Sequence, residues 1–200
     1  LHLDPETLLR FRILIKIGIL CIGNVDSTII ERIIQNLGEI LPDVKCQRIP
    51  YNIPMPQETF DFQRNQYRSD MILNIVENHA RKSMEFNRLL GVIDADIFVP
   101  GLNFVFGEAT CPGKAALISL WRLRPEFYNA PANLELLIER SIKEAVHELG
   151  HTFGLRHCAN PFCVMYFSNS IFETDRKKSL FCNRCYLELQ KLLDELGGEA

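Results

Sequence analysis

The stretch from His147 to His157 constrains this chain more than any other. His147-Glu148-Leu149-Gly150-His151 lies near the end of a long helical pattern. Residues four apart on a helix differ by about 40° around its axis and by about 6 Å along it. Two imidazoles so placed can converge on one zinc ion at ~2.0–2.1 Å each. Glu148, on the same turn, is placed to take a proton from water on that ion. If the helix continued, His157 would point about 240° around the axis and ~9 Å away. Gly154 can take the left-handed conformation that ends a helix and turns the chain sharply, so the third imidazole returns to the ion.

Histidines within an amphipathic helix are commonly ordinary core or surface residues. Here Leu134, Ile138, Ile142, Ala145 and Leu149 form one apolar stripe. His147 and His151 project from roughly the opposite face, beside Arg140, Lys143 and Glu144, where a cleft facing solvent is expected. Three neutral imidazoles leave zinc its full charge and an open position for water, whose pKa falls to ~7. The reaction best suited to this arrangement is amide hydrolysis. Zinc-bound hydroxide attacks a peptide carbonyl, Glu148 accepts the proton and passes it to the leaving amine, and the ion stabilises the oxyanion. A three-histidine site alone does not exclude an ester or another hydrolysable substrate.

Cys158 adjoins the third histidine, Cys163 follows it, and Cys182 and Cys185 form a C-x-x-C pair. Four thiolates in two close pairs can close a tetrahedral structural zinc site with no open position. Two disulfides, or a redox-active Cys182–Cys185 pair, are the alternatives. Cys21, Cys46 and Cys111 are scattered and read as buried thiols. With seven cysteines in all, at least one has no partner within the chain.

Upstream, Arg12 to Ile22 reads as a strand covered on both faces. Arg10 and Arg12 imitate the start of a signal peptide, but Lys16 interrupts the apolar run and no small-x-small cleavage site follows closely. The chain is therefore expected in the cytoplasm, its cysteines reduced or metal-bound. Asp26 or Ser27 caps a helix that Gly38 stops. Val44 to Tyr51 is a second strand, followed by a loop around Pro50, Pro54 and Pro56. Ser69 precedes a second helix, and Leu89 to Val99 is a third strand. This alternation predicts an α/β layer with a mainly parallel sheet. Asn103 to Phe106 and Ala115 to Trp121, joined through Cys111-Pro112-Gly113, are expected to pair antiparallel. A long helix runs from near Pro131 to about His151, and Tyr186 to Leu196 is a closing helix.

The whole His147-Glu-x-x-His151-x-x-Gly154-x-x-His157 run resembles the zinc motif of the metzincins, whose third ligand is reached by that glycine turn. Met165 looks like the methionine that metzincins hold in a tight turn beneath the metal. His157-Cys158, Cys163-x-Met165 and Cys182-x-x-Cys185 together resemble the archaemetzincins in particular. The resemblance is sharp over residues 147–185. It implies a compact α/β metalloprotease fold with a mixed, mostly parallel sheet, an antiparallel edge strand and a long active-site helix. It further implies two zinc ions per chain: a catalytic one on His147, His151 and His157, and a structural one on Cys158, Cys163, Cys182 and Cys185. In the wider group an edge strand above the zinc binds extended substrate by strand addition. Asn103–Phe106 or Ala115–Trp121 resembles that element by position. The tyrosine that ligates zinc in some metzincins is replaced here by Phe167, and Tyr166 is expected to pack.

One metalloprotease domain is expected, with an α/β part over about residues 1–151 and a zinc-stabilised part over about 152–200. The chain carries 22 basic and 25 acidic residues, and its only basic run is Arg176-Lys177-Lys178. This balance argues against a nucleic-acid or membrane partner. The expected function is that of a zinc-dependent peptidase acting on peptides or proteins with Glu148 as its base. The rival readings are a non-catalytic zinc-stabilised binding protein and a nucleic-acid or protein interaction module built on the cysteine pairs.

Overall fold

The computed structural model describes residues 14–198. The first strand, β1 (Ile15–Ile22), alternates only once, at exposed Lys16, and is otherwise buried. Arg12 and Ile13 of the predicted strand, and the Arg10–Arg12 pair, lie outside the described residues. β1 pairs in parallel with β2 (Val44–Ile53) on one side and β5 (Arg88–Ile93) on the other. β5 pairs in parallel with β8 (Ala115–Ser119), and β7 (Gly107–Ala109) closes the row antiparallel to β8. The sheet order is thus β2-β1-β5-β8-β7. The expected α/β fold with a mostly parallel sheet and one antiparallel edge strand is what the chain adopts. Pro50 sits inside β2, which is tolerated because β2 is an edge and owes its outer N–H groups no partner.

Helices α1 (Ser27–Ile40) and α3 (Leu134–Phe153) cover one face of this sheet, and α2 (Ser69–Lys82) covers the other. Asp26 is the α1 cap, its side chain accepting from the Thr28 N–H at 2.8 Å. Gly38 does not stop α1. The helix runs on to Ile40, and the chain turns only at Asp43, which takes a positive φ of 55°. α2 begins at Ser69 itself, with Arg68 as an uncapped preceding residue.

The predicted strand Leu89–Val99 breaks in two. Asp94 and Asp96 hold Arg124 and Arg122, the latter through two bonds of 2.7 and 2.8 Å. The chain therefore leaves the main sheet at Ile93. β6 (Ile97–Phe98) joins a second, small sheet with β3 (Phe60–Asp61) and β4 (Gln66–Arg68), which no sequence pattern announced. The antiparallel pair is displaced as well. Asn103–Phe106 is not a strand, the edge strand is Gly107–Ala109, and β8 is a covered inner strand that ends before Trp121.

α3 starts three residues later than Pro131 suggested, because the Asn133 side chain caps it by accepting from the Leu136 N–H at 3.0 Å. Past α3 come an irregular segment, the short α4 (Ile171–Arg176) and α5 (Asn183–Gly198). No helix among the described residues is long and apolar enough to cross a membrane.

Candidate active site

The last turns of α3 present His147, Glu148 and His151. Gly154 ends the helix with φ 110°, the left-handed value that a side chain resists. Its N–H donates to His151 O at 2.9 Å, and the Leu155 N–H donates to Gly150 O at 3.1 Å. This double cap reverses the chain, and the ring centroid of His157 comes within 5.4 Å of that of His147 and 4.8 Å of that of His151. The three residues that the spacing grouped are therefore together.

Main-chain carbonyls orient the two helix imidazoles. His147 Nδ1 lies 2.7 Å from Val164 O, and His151 Nδ1 lies 2.7 Å from Leu155 O. A carbonyl only accepts, so Nδ1 carries the proton and Nε2 of each neutral ring keeps its lone pair. Those two Nε2 atoms sit 3.2 Å apart. Burial holds His147 well below the usual histidine range and also lowers His151 and His157, so a shared imidazolium is disfavoured. Facing lone pairs at that distance call for a cation between them. Tetrahedral bonds to zinc place neighbouring nitrogens about 3.3 Å apart, so the donor set fits the metal.

Glu148 is buried between α3 and the edge strand. Burial pushes its carboxyl well above the usual carboxylate range; Glu144 and Glu108 add to this, while Lys177 opposes it. Gly107 of β7 makes room for it. A Cβ there would stand 2.6 Å from Glu148 Cγ, 2.7 Å from Oε1 and 2.7 Å from Leu117 O. Met165 is fully buried and packs on Gly150, and its carbonyl accepts from the Cys158 N–H at 2.9 Å. Phe167 leans on the His157 ring with centroids 4.8 Å apart.

The four clustered cysteines also meet. Their sulfurs all lie within 4.8 Å of one another. Cys158 Sγ and Cys182 Sγ are 3.8 Å apart, far beyond a disulfide bond and equal to the edge of a tetrahedron with zinc–sulfur bonds of ~2.3 Å. The Asn160 N–H and Arg184 donate to Cys158 Sγ, and the Cys182 N–H donates to Cys163 Sγ, as suits thiolates. Burial acts to raise the Cys182 thiol, but hydrogen bonds, led by that from the Cys185 backbone, outweigh it and bring it down to about 7. The chain thus holds two separate metal-binding clusters, an open one of nitrogen and a closed one of sulfur. Of the remaining thiols, Cys21 is buried and Cys46 partly so, but Cys111 is exposed, contrary to expectation, because it lies in the turn joining β7 to β8.

One further expectation is overturned. Arg140, Lys143 and Glu144, on the polar side of α3, do not face solvent; all three are buried. The segment after α3 folds back over them. Arg140 forks onto Asp175 at 2.7 and 2.8 Å, and Lys177 Nζ lies 2.9 Å from Glu144 Oε1, though outside hydrogen-bond geometry. The cleft opens only at the last turns, over about 390 Å³, bounded by residues 102–109, the histidines and Phe167–Asn169. Sequence reasoning missed the Val164 and Leu155 carbonyls, Gly107 and Glu108. Carbonyls leave no trace in a sequence, and a lone glycine or glutamate in a three-residue strand carries no period.

The chain as a whole is similar to known proteins. The family model described as peptidase family M54 matches residues 14–191. The archaemetzincin of Methanocaldococcus jannaschii is 42% identical over 177 residues, spanning 88% of this chain and 94% of that one. The crystal structure of archaemetzincin from Methanopyrus kandleri superposes with a TM-score of 0.79 at 37% identity, covering 94% of this chain and 99% of that one. A zinc-dependent peptidase from Methanocorpusculum labreanum superposes with a TM-score of 0.78 at 32% identity, covering 86% and 99% respectively. By the match of nearly its whole described length, and by both clusters of metal-binding side chains, this chain belongs to peptidase family M54, the archaemetzincins.

Proposed function

We propose that His147, His151 and His157 hold the catalytic zinc of this metallopeptidase, that Glu148 is its general base, and that Cys158, Cys163, Cys182 and Cys185 hold a structural zinc. The observation that carries this reading is the pair of lone-pair-bearing Nε2 atoms 3.2 Å apart, with a buried carboxylate on the intervening turn. When bound, a zinc ion supplies Lewis acidity, lowering the pKa of a coordinated water toward ~7 and polarising a carbonyl.

The protein's own groups do the rest. The Val164 and Leu155 carbonyls fix the ring planes, so the ligands need no reorganisation. Glu148, buried on the turn between the two helix histidines, takes a proton from the attacking water and delivers it to the leaving amide nitrogen. The outer edge of β7 is the sheet's free antiparallel edge beside the cleft, suited to pair with an extended peptide. Gly154 supports the return of His157, and Met165 supports α3 at Gly150 as the methionine of the turn. We read the chain as one metalloprotease domain with a zinc-stabilised C-terminal part. A cytoplasmic setting is supported by the free thiols, which a reducing compartment preserves.

Metal content per chain and cleavage of a mixed peptide library, for wild type and Glu148→Ala, test the assignment. Two zinc ions in both proteins and cleavage by the wild type alone are expected. A Glu148→Ala protein that cuts at the wild-type rate removes Glu148 from the chemistry.

A further inference from the structure

Glu108 is the middle residue of the edge strand and borders the same cleft as the histidines and Glu148. Successive strand residues point to opposite faces, so its side chain leaves the strand away from the Gly107–Glu148 contact, toward α2. There Oε2 lies 2.6 Å from the hydroxyl of the buried Ser69. That hydroxyl also lies 3.0 Å from Phe98 O and has a single proton to give. Among the described residues, Oε1 accepts no hydrogen bond, and no lysine or arginine pairs with Glu108 or borders the cleft.

The other two cleft carboxylates have occupations: Glu144 has Lys177, and Glu148, between the two helix histidines, is the proposed general base. Of the three, Glu108 alone is a half-buried carboxylate without a countercharge. Such a group is costly to keep unless something brings the missing charge. Burial accordingly pushes its carboxyl above the usual range, and Asp70 adds to that, against the Ser69 hydrogen bond.

We propose that Glu108 is an anionic subsite that selects substrates presenting a positive charge to the edge strand, either the free amino terminus of a peptide or a lysine or arginine side chain. The proposal rests on the peptidase reading for its location. Its physical content is a charge preference that binding can show without any cleavage. A purely structural Glu108 would only tie β7 to the start of α2 through Ser69, a task that glutamine performs equally well.

The probe is one hexapeptide, made with a free or acetylated amino terminus and with lysine or norleucine at each inner position in turn. Its affinity is measured by calorimetry on zinc-loaded Glu148→Ala protein, and its kcat/KM on the wild type. The charged forms are expected to bind about tenfold tighter than their neutral matches. Glu108→Gln, which keeps an acceptor for Ser69, should abolish that ratio. Glu108→Asp should keep part of it, and it serves as the second variant if the glutamine protein loses zinc or melts early. A preference removed by acetylation identifies the amino terminus as the recognised cation; one that follows lysine regardless of acetylation identifies a side chain.

Equal affinity for charged and neutral peptides overturns the subsite, as does an undiminished ratio in Glu108→Gln or no binding by any peptide. Charge-selective binding with no cleavage by the wild type would sink the peptidase reading and leave the subsite standing. Cleavage indifferent to charge would do the reverse.

Discussion

His157 and Cys158 are joined by one peptide bond and belong to different metal-binding sets. The histidine set is graded from buried His147 to exposed His157 and borders a cleft, so it has a side from which a substrate can arrive. Three of the four cysteines are buried, the sulfurs of Cys158 and Cys163 accept N–H groups, and four ligands already complete a tetrahedron. The histidines stand mostly on a helix that would form without metal. The cysteines stand on irregular chain and the first turn of α5, which have little else to define them. On the proposed reading, one cluster serves turnover and the other holds a loop. The contrast also shows dependence in one direction: Cys163 neighbours Val164, whose carbonyl orients His147, and Cys158 neighbours His157 itself.

The adjacent pair offers the largest effect and the most direct way to break the contrast. Cys158→Ser should release the structural ion and, with it, the catalytic one, taking zinc content from two to near none. Loss of a structural metal belongs to the rare class of changes costing more than about 4 kcal/mol. In a chain of this size that lowers the melting temperature by about 10 °C. His157→Ala, one residue away, should lose cleavage and one ion while melting within about 3 °C of the wild type. If Cys158→Ser keeps one zinc at the histidines with undiminished affinity in a chelator competition, the two clusters are independent and the loop argument fails.

The fastening of that loop to α3 is tested by Lys177→Met. Removing one partner of a buried ion pair strands the other charge, at a cost of about 3–5 kcal/mol. Denaturant unfolding should show this loss, and Glu144→Leu added to Lys177→Met should restore most of it. Failure of the second change to rescue the first would mean that Lys177 acts by something other than its pairing with Glu144.

These interactions mark where the sequence stopped being readable. The histidines and cysteines were legible because their offsets are short and metal geometry permits few solutions. The polar face of α3 was not, since Arg140 and Glu144 look like any solvated helix face until Asp175 and Lys177 arrive from a distant segment. Asn103–Phe106, expected to be a strand, is not one. Phe104 and Phe106 instead meet edge to face with centroids 5.1 Å apart, with Arg122 over Phe104 at 4.4 Å, and the strand begins one residue later. Aromatic contacts of that kind compete with a ladder that only three residues long could offer. β1 and the start of β5 were legible within a few residues, because burial on both faces leaves a continuous apolar run.

A smaller effect, confined to the open site, is expected of Gly107→Ala. The methyl meets both the Glu148 side chain and Leu117 O, so the flexible carboxylate is displaced and the pairing of β7 with β8 must also give slightly. A shift of the base by about an ångström costs roughly a hundredfold in kcat. Zinc content should stay at two, because no metal ligand lies against Gly107, and KM should change less than kcat. A rise in KM with kcat preserved would place Gly107 in substrate binding rather than in seating the base.

The smallest effect lies at the other end of α3, and it calibrates the rest. The Asn133 side chain caps the helix four turns before Glu148, accepting from the Leu136 N–H at 3.0 Å on an exposed surface. Asn133→Ala should cost about 1 kcal/mol of stability, the usual worth of such a cap. α3 is buried along almost its whole length and held by the sheet on one side and the returning loop on the other, so fraying at its first turn has no path to the last. Melting temperature should therefore fall by a few degrees while kcat/KM and zinc content stay at wild-type values. A loss of activity in this variant at a temperature where it is fully folded would show that the two ends of α3 are mechanically linked. The hundredfold expected of Gly107→Ala would then no longer report on the base alone.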